Sequence, residues 1–140
     1  MTGGAPNEWV LAVDGGARGN PGPAGAGLLL TAPDGRQAAA EAVPLGRRTN
    51  NEAEYEALLH GLALARDRGA ARLVVRSDSE LLVRQMTGEY RVKAEHLKPL
   101  AERARTLAAG FTSIRYVAVP REDNAAADRL ANEAMDRVAP

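Results

Sequence analysis

Four acidic residues in this 140-residue chain stand where an unpaired charge is costly: Asp14, Glu54, Asp78 and Asp128. Asp14 follows the apolar run VLAV and precedes a loop with glycines at 15, 16, 19 and 22. A carboxylate at the end of such a strand needs something positive in front of it. Glu54 lies four residues before Leu58 and so shares the apolar stripe of Leu58, Leu62 and Ala65. Glu52, Glu56, His60 and Asp67 fall on the opposite arc, where solvation explains them. Asp78 follows LVVRS, at the carboxyl end of a strand, where α/β sheets form ligand sites. Asp128 borders the stripe of Ala127, Leu130, Ala131 and Ala134.

Each acid also has a simpler account. Asp14 fits an Asp-Gly turn, and Glu54 a first-turn glutamate or the acid of a capping box with Asn50 or Asn51. Asp78 fits a helix cap within Ser77-Asp78-Ser79, and Asp128 a surface ion pair with Arg129 or Arg121. Brought to one point, the four would repel one another unless cations were bound, and hard divalent ions favour carboxylate oxygens. Two such ions about 3.5–4 Å apart can activate a water and stabilise the leaving oxygen of an in-line phosphoryl displacement. With no cysteine and only two histidines, His60 and His96, the natural ions are Mg²⁺ or Mn²⁺ rather than zinc.

The elements that would position these residues are legible from periodicity and turn chemistry. Residues 8–13 read as a buried strand, 24–31 as a second, and Pro33-Asp34-Gly35 as the turn into a third at about 36–45, an antiparallel meander. The period becomes helical over 51–68, with Gly69 as the stop. A short strand at 72–77, a short helix at 79–86 and a helix at 94–109 follow, with Pro99 marking a kink or the true start of the latter. A last strand at 111–119 and a last helix at 123–138, capped by Asp123 or Asn124, complete a mixed sheet with helices packed on it.

Length and composition bound the class. The chain has the size of one domain, and 45% hydrophobic with 26% charged residues is an ordinary globular balance. Residues 1–7 read as a flexible N-terminal tail without the features of a signal peptide, and 8–138 as a single domain. No run of 18 apolar residues occurs, so no membrane partner is expected, and the absence of cysteine fits the cytoplasm. Eighteen basic and eighteen acidic residues cancel, which argues against nucleic-acid binding by bulk attraction but not against a metal-recruiting acidic site with a basic rim.

Four segments together resemble the type 1 ribonuclease H family: DGGARGNPGPAG, TNNEAEYEALLHGL, SDSELLVRQM and PREDNAAADRLANEA, in the family's order and spanning nearly the whole chain. The resemblance implies a ribonuclease H-like fold, a five-stranded mixed sheet with three antiparallel and two parallel strands flanked by helices. It implies hydrolysis of the RNA strand of RNA–DNA hybrids by an endonuclease with two metal ions per active site, leaving a 5′-phosphate and a 3′-hydroxyl. Asp14, Glu54, Asp78 and Asp128 match the family's catalytic, metal-binding tetrad, with Asp14 bridging both ions. Asn20, Asn50 and Asn51 match residues that read ribose 2′-hydroxyls. Gly15 and Gly16 match positions where the RNA backbone approaches closely. Arg47 and Thr49 match a pocket for a phosphate of the DNA strand. Helix capping is the simpler account of Asn50 and Asn51, and surface solvation that of Arg47, Arg91, Lys93 and Lys98 as rim cations.

Two departures place the chain with the compact, archaeal-like form. The stretch 87–95 is too short and mixed in charge to form the basic helix with which many bacterial members grip the hybrid. The loop that holds a mobile histidine in many members carries Ala118-Val119-Pro120-Arg121-Glu122 instead, and the resemblance implies that Arg121 or Glu122 takes over part of that role. The expected partner is the hybrid itself, with no obligate protein partner and a monomeric state. Two alternatives stay open: a nuclease of the same fold acting on double-stranded RNA or junctions, and a non-catalytic nucleic-acid-binding module.

Overall fold

The computed structural model describes residues 7–138, so the tail expected at 1–7 lies outside the described residues except for Asn7, which sits in a turn. Strands β1 (Glu8–Ala17), β2 (Gly22–Thr31) and β3 (Gln37–Arg48) form an antiparallel meander. Helix α1 (Asn50–Asp67) leads to β4 (Arg72–Ser77), which lies parallel to β1. Helices α2 (Glu80–Met86) and α3 (Lys98–Ala108), the latter entered through a 3₁₀ turn at Glu95–Leu97, lead to β5 (Ser113–Ala118), parallel to β4. A second 3₁₀ turn, Arg121–Asn124, runs into α4 (Ala125–Asp136). The sheet order is β3-β2-β1-β4-β5, so β1 is central and the expected five-stranded mixed sheet is observed.

Alternation along β1 assigns the two faces. Leu11, Val13 and their β2 partners Leu30 and Leu28 are fully buried in one cluster with Leu58 and Leu62 of α1. Full burial of one such side chain stabilises the fold by roughly 1.5–3 kcal/mol. The other face carries Asp14 and Gly16, opposite Gly27 and Gly25 of β2, and α4 lies against it. A Cβ at Gly27 would stand 1.9 Å from the Ala127 carbonyl oxygen, and one at Gly25 2.7 Å from that of Ala131. Helix α4 therefore rests on bare backbone, which explains why its own inward stripe is mostly alanine: Ala127, Ala131 and Ala134 are all fully buried.

Several boundaries differ from those read in the sequence. Strand β1 continues through Gly15, Gly16 and Ala17, which pair with Ala26, Gly25 and Ala24, so these glycines belong to the sheet and not to the loop. Antiparallel pairing supplies the backbone partners that periodicity alone could not reveal. The first helix is capped by Thr49, whose hydroxyl accepts from Glu52 N while Glu52 accepts from Thr49 N. The capping-box acid is thus Glu52, not Glu54, and neither Asn50 nor Asn51 is the cap. Pro99 occupies the first turn of α3 and marks its start, where its missing N–H costs nothing. Residues 87–94 form no regular element, in keeping with the lack of an extra basic helix.

Candidate active site

The pairing register brings the first two acids together. Ala12 of β1 pairs with Arg76 of the parallel strand β4, so two residues further along each chain Asp14 and Asp78 arrive level with one another. Ser79, not Asp78, caps α2, its hydroxyl accepting from Leu82 N, which leaves the Asp78 carboxylate free for the cavity. Glu54 comes from α1 and is held from the strand: its Oε1 accepts a hydrogen bond of 2.9 Å from Gly15 N. That bond depends on helix and strand touching, since a Cβ on Gly15 would lie 2.2 Å from the Ala53 carbonyl oxygen. One carboxylate oxygen each of Asp14, Glu54 and Asp78 lies within 4.8 Å of the others.

Asp128 completes the group from α4, on the face of the sheet that carries Asp14 and opposite α1. It follows Ala127, the residue seated on Gly27, and Gly27 is the pairing partner of Asp14. The bare backbone of β2 therefore sets how closely α4 brings Asp128 to Asp14, near enough for Asp128 to help raise the pKa of Asp14. All four acids line one open cavity of about 440 Å³, together with Arg18 and Arg121.

Asn124, read in the sequence as a cap, has another task. It occupies the position before α4 but makes no capping bond. Its buried Nδ2 donates 2.9 Å to the Val13 carbonyl, fastening the turn before α4 to β1 one residue ahead of Asp14. The signal available in the sequence was an amide one helical turn ahead of Asp128.

Electrostatics match this crowding. Asp14 is 7% exposed, and burial, followed by the charges of Glu54 and Asp78 and then by Asp128, pushes its carboxyl up to about 9. Burial raises Glu54 to about 7 against the opposing hydrogen bond from Gly15. Without a compensating cation Asp14 thus holds its proton at neutral pH, and Glu54 is poised between its two forms. The nearest cationic group to Asp128 is Arg121, at 3.9 Å and 81% exposed, too distant and too solvated to neutralise the set. The donors are all carboxylate oxygens, the chemistry that hard divalent cations prefer. The expected ion pair of Asp128 with Arg121 is therefore present, but only as a long contact beside the cluster.

The remaining site residues surround this centre. Gly16 borders the cavity, with Met135 in ordinary van der Waals contact distance of where its Cβ would be. The side of Gly15 where a Cβ would project is filled by α1, so its bareness serves helix packing, while the residue itself also borders the cavity. Asn20 Oδ1 accepts 2.9 Å from Asn50 N, and Asn50 Oδ1 accepts from Ala17 N, so the two amides join the glycine loop to the start of α1. Asn51 and Arg47 are exposed beside them, and Thr49 is occupied as the cap. Glu122 is exposed on the turn that carries Arg121. Of the rim cations, Lys98 pairs with Glu95, while Arg91 and Lys93 are exposed. His60 and His96 are both exposed, the former as its arc implied.

Three comparisons bear on this arrangement. The profile of the family described as "Reverse transcriptase-like" matches residues 12–134. The bifunctional protein Rv2228c of Mycobacterium tuberculosis is 47% identical over 131 residues, which cover 93% of this chain and 36% of that protein. The chain thus spans about a third of the mycobacterial relatives it matches. Among solved structures, ribonuclease H1 of Halobacterium salinarum superposes with a TM-score of 0.89 at 42% identity, covering 92% of this chain and 98% of that one. LC11-RNase H1 in complex with an RNA/DNA hybrid superposes with a TM-score of 0.87 at 41% identity, covering 92% and 97%.

Proposed function

This chain belongs to the type 1 ribonuclease H family, and on that premise we propose that it is an endonuclease hydrolysing the RNA strand of RNA–DNA hybrids with two divalent ions, Mg²⁺ or Mn²⁺, in the four-acid cavity. The observation that carries the reading is the convergence of Asp14, Glu54 and Asp78 within 4.8 Å, with Asp128 beside Asp14. That LC11-RNase H1 was solved with an RNA/DNA hybrid supports the choice of substrate. Bound between these acids, the ions supply activation of the attacking water and stabilisation of the leaving 3′-oxygen.

The chain's own residues do the rest. Asp14, Glu54, Asp78 and Asp128 offer the carboxylate ligands, and the Gly15 amide fixes one Glu54 oxygen so that the other can turn to the cavity. Asn20, Asn50 and Asn51, one strand-end away, present amide groups of the kind that recognise ribose 2′-hydroxyls. Gly16 leaves the cavity wall low where the RNA backbone passes. Exposed Arg47 and the Thr49 region offer a seat for a phosphate of the DNA strand. Arg121, on the rim beside Asp128, is placed to assist the departing 5′-phosphate, and Glu122 on the same turn modulates it.

We read residues 8–138 as a single domain that acts as a monomer in the cytoplasm; the cysteine-free composition fits a reducing compartment. Among the described residues no helix is long and apolar enough to cross a membrane.

The test is cleavage of a hybrid labelled on its RNA strand, run beside RNA and DNA duplexes of the same sequence, with Mg²⁺, with Mn²⁺ and with chelator. The expected result is metal-dependent scission of the hybrid RNA alone, with 5′-phosphate ends. Preferential cutting of RNA duplex would replace the substrate reading, and binding of hybrid without scission would replace the enzyme reading.

A further inference from the structure

An acidic cavity that must admit a polyanion needs cationic groups on its own wall, and two arginines line this one. Arg121 stands at the Asp128 end of α4 and is held by little more than a contact of 3.9 Å. Arg18, just after β1, reaches the other end of the same helix. Its Nη1 donates to the Asp136 carboxylate and its Nη2 lies 3.4 Å from the Asn132 carbonyl oxygen. The Arg18 backbone is fixed as well, its amide donating 2.8 Å to the Pro23 carbonyl across the glycine loop.

Asp128 and Asp136 are eight residues apart on α4, or roughly 12 Å along its axis. One phosphate cannot engage both ends of that span. The Arg18 side chain is 47% exposed, and the two bonds to α4 use only part of a guanidinium that carries five N–H donors. A planar, pre-oriented guanidinium with open donors is suited to a phosphate, whereas a mobile lysine would act as a point charge.

We propose that Arg18 binds a non-scissile phosphate of the RNA strand, one or two nucleotides from the bond that is cut, and that Asp136 and the Asn132 carbonyl are positioning groups that aim its guanidinium. The strand concerned is the one being cleaved, because Arg18 shares its cavity with the four acids; the proposal therefore rests on the ribonuclease H reading above. Asp136 does not oppose this task. It engages part of the guanidinium of a residue that lines the cavity and leaves other donors without a protein partner, so the arginine meets substrate with less side-chain reordering.

The competing account is that Arg18 and Asp136 form a tie between β1 and α4 and nothing more. Steady-state cleavage of an RNA–DNA hybrid at a series of salt concentrations separates the two, with Arg18→Ala, Arg18→Lys and Asp136→Asn compared with the unmodified chain. Arg18→Ala is expected to raise KM roughly tenfold, with kcat changing less. It should also flatten the slope of log(1/KM) against log[salt] by about 0.7–0.9, the loss of one phosphate contact. Arg18→Lys should restore the slope but only part of the affinity, and Asp136→Asn should keep the original slope because the cation remains. An unchanged KM and slope in Arg18→Ala would overturn the proposal, as would an equal loss of slope in Asp136→Asn. Failure of the unmodified chain to cut any hybrid would overturn the underlying functional reading and this proposal with it.

Discussion

Asp14 concentrates the consequences of the site in one residue. Buried among three other carboxyls, with no cation among the causes that set its acidity, it is displaced from 3.8 in an exposed aspartate to about 9. Between those values the folded chain retains a proton that the unfolded chain has released, so stability falls as pH rises through this window. The metal-free protein is therefore expected to melt at lower temperature at pH 9 than at pH 5, and Asp14→Asn should flatten that dependence. At pH 8 the same variant should be more stable than the unmodified metal-free chain by roughly 0.5–2 kcal/mol, read by thermal or urea unfolding, as expected where a site is built at the expense of stability. Glu54, raised to about 7, adds to the effect in the same direction. Asp14 and Glu54 stood out in the sequence because each interrupts an apolar pattern, whereas Asp78 and Asp128 read as readily as a cap and a surface acid and were singled out by the family resemblance. Asn124 did not stand out, since an asparagine ahead of a helix reads as a cap, and only the folded chain shows its amide turned to the Val13 carbonyl.

At the scale of elements, the site depends on how closely two helices approach a sheet that offers them bare backbone. Gly15 against Ala53 sets α1 and hence Glu54; Gly27 against Ala127 sets α4 and hence Asp128. Gly27→Ala would place a methyl group 1.9 Å from a carbonyl oxygen, and the helix must lift. The expected cost is about 1–3 kcal/mol in unfolding free energy, with a fall in divalent-cation affinity because Asp128 moves with α4. By contrast, Gly35→Ala, in an open turn with nothing within 4 Å, should leave cation affinity unchanged while destabilising the turn through its φ of +87°. Isothermal titration beside thermal unfolding checks both variants. The order of strands and helices was visible from periodicity, whereas these approaches were hidden: a glycine in a sequence does not say which neighbour occupies the place of its missing side chain. For that reason Gly15 and Gly16 read as loop, although pairing with β2 makes them strand.

For the whole molecule, the balance of charge carries as much meaning as the fold. Eighteen basic and eighteen acidic residues leave no net field to gather a polyanion, so the acidic cavity has to be neutralised locally before a phosphate chain can enter it. Divalent cations are accordingly expected to act as structural partners of the folded state as well as reagents. Saturating Mn²⁺ or Mg²⁺ should raise the melting temperature, by about 2.7 kcal/mol of stabilisation at a hundredfold excess over Kd. That gain should be greater at pH 8 than at pH 6, because the ions must displace the protons held by Asp14 and Glu54. The resemblance of four separated motifs was enough to read the family and the sheet, but the absolute placement of the cavity's two arginines required the helix that joins them. The most direct measurement is single-turnover cleavage of an RNA-labelled hybrid by the unmodified chain and by Asp14→Asn, with folding of both verified. The account predicts metal-dependent scission by the first and a loss of roughly 10²–10⁴-fold or more in the second; scission by Asp14→Asn at the unmodified rate would contradict it.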